Sequence, residues 1–224
     1  KGRMVAEAAG ITSFIGANDY ALKTLLKKMD MSRLRPGDVV MLNYPYWNSA
    51  HASDALLMTP VFIDGTEIDM FLCVRAHWLD LGAKDAGYVI DSTDIHQEGL
   101  ILPGVRIIKE GELDEDLWSI LMYNSRLPEA IKGDFGAQVA CLRTGEAAVR
   151  EIFERFGKVR VLAMIAAFFP DSPFGRRLGA TLVGATFAAY PLATAAAIPL
   201  PPMCMGRLRQ SGWHLKSLAP IRYR

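Results

Sequence analysis

"LLMTPVFIDGTEIDMFLCVRAHW" (residues 56–78) holds the pattern on which the fold turns. Two runs rich in β-branched, aromatic and long apolar residues flank Asp64-Gly65, a dipeptide suited to reversing a β-hairpin. The second run ends at His77, and "NSAHASDALLM" (48–58) places His51 and Asp54 three apart where the first begins. Antiparallel pairing brings the start of one strand beside the end of the other. The hairpin is therefore expected to gather His51, Asp54 and His77 at one end of a sheet.

The flanking segments fix the class. "ANDYALKTLLKKM" (17–29) spaces Tyr20, Leu22, Leu25, Leu26 and Met29 at helical intervals, with Asn18 or Asp19 as the expected N-cap. "RPGD" (35–38) reads as a turn, and "VVMLNYPYW" (39–47) as a buried strand ending at Pro45. In "IHQEGLILPGVRIIKEGEL" (95–113) a short strand is expected on each side of Pro103-Gly104, followed by a Glu-Gly turn. Two helical stretches follow, "DEDLWSILMYNSR" (114–126) and "EAIKGDFGAQVACLRTGEAAVREIFERFG" (129–157), the latter capped by Gly157. A helix, then several strands, then helices predicts an α+β fold with an antiparallel or mixed sheet.

Composition narrows the class of protein. The chain is 51% hydrophobic with a formal net charge of +1, which suits a globular core and gives no electrostatic reason to expect nucleic acid or an anionic membrane as partner. Three scattered cysteines, Cys73, Cys141 and Cys204, form neither a CxxC pair nor a disulfide framework. They suggest a reducing, cytoplasmic setting. The opening "KGRMVAEAAG" has no initial Met and no apolar leader, and it reads as a chain cut inside a larger domain. Character changes after residue 157: from Ser172 to Arg224 there is no acidic residue, and Leu178 to Met205 carries no charge. That stretch has the length of a membrane span, but it is Ala-rich and broken by Pro191 and Pro199. A membrane crossing is not expected; a disordered tail and a tail read in a shifted frame are the competing readings, and no function is placed on residues 158–224.

Imidazole nitrogen and carboxylate oxygen are the donors that zinc and manganese accept. His51, Asp54 and His77 would supply three ligands and leave positions open for water and substrate, as catalytic sites do. Such a metal lowers the pKa of its water and polarises a carbonyl, which suits amide hydrolysis or enolate stabilisation. The same residues also read as polar punctuation: Asp54 capping a turn, His77 bonded to backbone at a strand end. His96 competes as a ligand, Asp94 and Glu98 read as an acid/base pair or a polar turn, and Gly133-Asp134 as a cap or a site. There is no GxGxxG and no GxxxxGK[ST] to cradle a phosphate, and no GxSxG or Cys beside a base.

The ordered motifs "GDVVMLNYPYWNSAHASD…TPVFIDG…VRAHWLDLG…STDIHQEGL…PGV…GELDEDLW…NSRLPEAIKGDFGAQVACLRTG" resemble the hydantoinase B/oxoprolinase family over about residues 2–157. Its members include subunits of ATP-dependent N-methylhydantoinase, 5-oxoprolinase, and acetone and acetophenone carboxylases. The resemblance implies that His51, Asp54 and His77 bind a divalent metal, zinc or manganese, matching the family's H-x-x-D and its later x-H-W-x-D. It further implies that Asp80 and Glu98 serve the catalytic site, orienting its groups or touching substrate. ATP would be bound by a hydantoinase A-like partner that phosphorylates the substrate carbonyl. The implied activity is ring opening of a hydantoin or lactam. Carboxylation of a phosphorylated enol, or a non-catalytic or truncated assembly subunit, are the alternatives.

The sequence departs from the family in three places. Tyr44 stands where N-D-P-Y carries its Asp, Asn48-Ser49-Ala50 replaces G-G-T, and Phe14 occupies the place of a histidine; the family pattern also carries a metal-binding Asp upstream of the point where this sequence starts.

Overall fold

The computed structural model describes residues 4–8, 14–48, 50–65 and 67–168. The tail expectations for residues beyond Phe168, including the uncharged 178–205 stretch, lie outside the described residues. Among those described, no helix is long and apolar enough to cross a membrane.

The hairpin forms as its pattern predicts. Strand β2 (Asp54–Val61) pairs antiparallel with β3 (Met70–His77), Asp54 opposite His77 at one end and Val61 opposite Met70 at the other. β2 ends at Val61 and β3 begins at Met70, so the reversal is longer than a two-residue Asp64-Gly65 turn. Asp69 organises it: its N–H donates to Val61 O and its carboxylate accepts from Ile63 N, both at 2.9 Å. Lys158 bridges Asp64 and Asp69 from outside at 2.7 Å.

Strand β1 (Val39–Leu42) lies on the other side of β2, and β4 (Pro103–Lys109) and β5 (Glu112–Leu113) complete a five-stranded sheet in the order β3-β2-β1-β4-β5. Every pairing is antiparallel. With the helices, this is the α+β architecture expected. Two local expectations change. One strand, beginning at Pro103, replaces the pair expected around Pro103-Gly104; residues 100–102 are instead tied to Asn43. β1 stops at Leu42, and Pro45 opens a single helical turn, α2 (Pro45–Asn48). The Glu110-Gly111 reversal is present, both residues at positive φ (52° and 93°), as a two-residue hairpin of this hand requires.

Both faces of the sheet are covered, which explains the unbroken apolar runs of β1 and β2. Val40, Leu42, Leu56 and Met58 pack with Ala21 and Leu25 of α1 (Ala17–Lys28). Val39, Met41, Ala55, Leu57 and Val74 face Phe135, Val139 and Leu142 of α4 (Pro128–Phe156), with Trp118 and Leu121 of α3 (Glu115–Tyr123) beside them. α1 starts from Gly16 at φ 72°, with no side-chain cap. Asn18 and Asp19 therefore sit inside the first turn rather than at the N-cap. Gly157 does end α4, donating to Phe153 O, and a further helix, α5 (Lys158–Phe168), follows it.

One side chain of α4 stitches the hairpin. Buried Gln138 donates at 3.0 Å to Ala55 O on β2 and to Val74 O on β3, and accepts from Trp78 Nε1 at 2.7 Å. Trp78, fully buried, follows His77 directly, and its N–H donates to Ser53 O at 2.8 Å. The end of the hairpin that carries His77 and Asp54 is thus fixed from three sides.

Candidate metal centre

Asp54 is the hub of the site. Its side chain is 1% exposed. Its Oδ2 accepts from His51 N at 2.8 Å and lies 3.0 Å from His51 Nδ1, while Oδ1 lies 2.9 Å from His77 Nδ1. Burial alone would raise the carboxyl's pKa, but the hydrogen bonds from His77 and His51 and the proximity of both imidazoles outweigh it and hold it below the ordinary carboxylate value. The group therefore stays anionic, the charge state in which a carboxylate could ligate a cation.

Local structure explains the convergence. Asp54 N donates to His51 O at 3.0 Å, so the H-x-x-D segment closes into a tight turn that returns both side chains to one place. His77 arrives by strand register. One donor atom from each of the three residues lies within 4.8 Å of the others. Two nitrogen or oxygen ligands on one ion span at most about 4 Å, and of the three side chains His51 is the one exposed enough to give by the difference. His77 Nε2 is buried with no hydrogen-bond partner among the described residues, an orphaned ring nitrogen of the kind that a metal ion could satisfy. A nitrogen–nitrogen–oxygen donor set of this kind fits zinc or manganese.

Around this group lies a cleft of about 250 Å³. Its polar lining comes from His51, Ser53, His77 and Glu98, and the rest from the segment Gly87–Ile90. Glu98 thus shares a cavity with both imidazoles, held by a hydrogen bond from Ser92 Oγ at 3.0 Å. Asp80 is placed elsewhere. Buried, it accepts from Arg126 Nη2 at 2.6 Å, Arg126 Nε at 2.9 Å and Gly82 N at 3.1 Å, and it does not line the cleft. His96 is exposed on the short helical turn 95–98 and does not join the three-residue group, while Asp94 caps that turn by accepting from His96 N at 2.8 Å. Asp134 lies on α4 near enough to His77 for its imidazole to oppose, but not cancel, the upward shift that burial gives the Asp134 carboxyl.

Several supporting residues carry no signal of their role in the sequence. Buried Asn43 donates to Ala52 O (2.7 Å) and Leu100 O (2.8 Å) and accepts from Leu102 N (2.6 Å), joining the histidine loop to the segment after Glu98. Asn48 donates to Asp54 O at 2.6 Å and accepts from Arg75 Nη2 at 2.7 Å. Arg75, fully buried two residues before His77, spreads its guanidinium over the Phe14 ring at 5.4 Å. Desolvation lowers its pKa to about 10, so it stays charged at neutral pH. Tyr44 packs edge-on against Tyr46 and Trp47 and does not line the cleft. Hydrogen-bonding Asn and buried Arg residues of this kind are common in sequences, and only the fold shows that their segments meet.

Comparison with known proteins adds kinship. The family model described as Hydantoinase B/oxoprolinase matches residues 1–174. A putative D-/L-hydantoinase subunit from Pseudomonas sp. (strain NS671) is 35% identical over 123 residues, covering 54% of this chain and 21% of that protein. The crystal structure of ATP-dependent caprolactamase from Pseudomonas jessenii superposes with a TM-score of 0.67 at 30% identity, over 73% of this chain and 28% of that one. The nucleotide-free structure of acetone carboxylase gives a TM-score of 0.61 at 18% identity, over 66% of this chain and 20% of that one, and shares the fold. The chain thus spans between a fifth and about three tenths of the length of these proteins.

Proposed function

The chain belongs to the hydantoinase B/oxoprolinase family, and from that premise we propose that His51, Asp54 and His77 hold one divalent cation, zinc or manganese, in a hydrolase that opens a cyclic amide. The observation that carries this reading is the convergence of two imidazoles and one buried carboxylate within 4.8 Å, beside a cleft that also holds Glu98. A cation bound there supplies Lewis-acid polarisation of a carbonyl and a more acidic water.

The chain's own residues account for the remaining work. Asp54 fixes the planes of both imidazoles and keeps its charge at neutral pH. Glu98, in the same cleft, is the group to take a proton from the attacking water and return it to the departing ring nitrogen. Asp80 serves by position: its bonds to Arg126 and Gly82 hold the loop that leads from His77 into the cleft segment. Substrate activation by ATP belongs to a hydantoinase A-like partner, a reading supported by relatives that are a hydantoinase subunit and an "ATP-dependent" caprolactamase. A hydantoin or lactam ring is the substrate class that those two relatives support.

The test is metal analysis and turnover of the full-length protein with its ATP-binding partner. One ion per chain is expected in wild type, with loss of the ion and of ATP-dependent ring opening in His51→Ala and His77→Ala. Undiminished metal in those variants rejects the ligand assignment.

A further inference from the structure

We infer that Tyr88, Val89 and Ile90 form the apolar wall of a ligand subsite that takes the aliphatic edge of a small cyclic amide, an inference that rests on the cyclic-amide reading above. Singly exposed apolar side chains are ordinary on a protein surface. Here three in succession line the cleft that also contains both imidazoles. Tyr88 is 64% exposed and Ile90 94%.

The wall is anchored to the imidazoles through Tyr88. The Tyr88 ring lies almost parallel to His77, at 4.3 Å between centroids and 18° between planes, and presents an edge to His51 at 5.4 Å. Behind it, Gly87 N donates to Leu79 O at 2.6 Å. Lys84 pairs with Asp91 at 2.7 Å across the base of the segment. The Tyr88 end of the apolar surface is thus held beside the imidazoles, with Val89 and Ile90 continuing it along the cleft.

Size and chemistry point to the occupant. A cleft of about 250 Å³ falls below the roughly 300–1,000 Å³ of sites for drug-sized ligands, so it suits a molecule of few heavy atoms. Ser53, Glu98 and the imidazoles can satisfy an amide N–H and carbonyl. They offer nothing to methylene groups, for which the Tyr88–Ile90 wall is the matching surface. A ligand that is polar throughout would leave this wall unused.

The test titrates the metal-loaded, full-length complex by calorimetry with lactams differing by successive ring methylenes. Wild type is expected to tighten about fourfold per methylene. Ile90→Asn, at a site exposed enough not to disturb folding, is expected to flatten that ladder to below about twofold per methylene, and Ile90→Leu to restore it. A ladder unchanged in Ile90→Asn, or absent from wild type, overturns the subsite whatever the fate of the hydrolase reading. So does release of the partner subunit by Ile90→Asn in gel filtration, which would make the wall a protein contact. A ladder that flattens as described, in a complex that opens no ring with ATP, supports the subsite and rejects the hydrolase reading.

Discussion

Asp54 and His77 stand directly opposite each other in the β2–β3 ladder, with His77 Nδ1 2.9 Å from Asp54 Oδ1. A one-residue slip would turn His77 to the other face of the sheet, and Gln138, bonded to Ala55 O and Val74 O, holds the two strands in place from outside the connecting loop. Inserting two glycines after Gly65 is therefore expected to leave metal stoichiometry unchanged and to cost less than about 1 kcal/mol of stability. Metal analysis and urea unfolding check this. Loss of the ion would show that the loop places the histidine.

Glu98→Gln keeps the shape of the cleft and removes a proton acceptor. Turnover is expected to fall by about 10²–10⁴-fold while bound metal stays at the wild-type level. A variant that keeps its rate assigns Glu98 to the turn it closes and to nothing more.

Gly99, which follows Glu98, has φ 115°, and a Cβ there would meet Leu81 O at 2.8 Å. Both the left-handed backbone and the close carbonyl require glycine. Gly99→Ala is expected to lose about 1–3 kcal/mol, read as a lower urea midpoint, and to weaken turnover by displacing Glu98.

Asp80 carries a pH dependence whose sign is fixed. Hydrogen bonding from the Arg126 side chain outweighs burial and holds the carboxyl below its ordinary value. Such a group adds stability above its unfolded-state pKa, about 3.9, and that contribution is lost as pH falls through the lower folded value. Asp80→Asn is expected to cost about 1–2 kcal/mol near pH 7, a difference that shrinks below about pH 4. Unfolding curves at several pH values measure it. A difference that persists unchanged into acid denies the ion pair its role.

Gln138→Leu leaves Trp78 Nε1 buried without an acceptor and frees two strand carbonyls. A loss of about 2–4 kcal/mol is expected in denaturant unfolding. Weaker metal binding should accompany it, because Trp78 adjoins His77.

The hairpin, the α+β order and the convergence of His51 with Asp54 and His77 are legible in the sequence because continuous apolar runs and a three-residue spacing are local signals. The start of α1 misleads for a local reason too: Asn18 and Asp19 have cap chemistry, but Gly16 tolerates the positive φ at which the helix begins. The 100–102 segment resembles a strand because it is apolar, although its backbone bonds to Asn43 and Leu81 rather than to a strand ladder. Glu98 is placed in the cleft by kinship of motif, since spacing offers no reason to bring it near His77. Asn43, Asn48, Arg75 and Tyr88 are silent because their partners lie in other segments, and contacts of that kind leave no periodicity to read.

Gln138 also sets an order of events. The residues that define the site are complete in the chain by position 98, yet the side chain that clamps their strands is made only when α4 is synthesised. A nascent chain emerging from the ribosome therefore has the ties of Asn43, Asn48 and Trp78 to the histidine loop by position 102, but lacks the clamp across β2 and β3 until α4 follows. The last fastening of the hairpin thus comes from a helix side chain that lies forty residues further along the chain than Glu98.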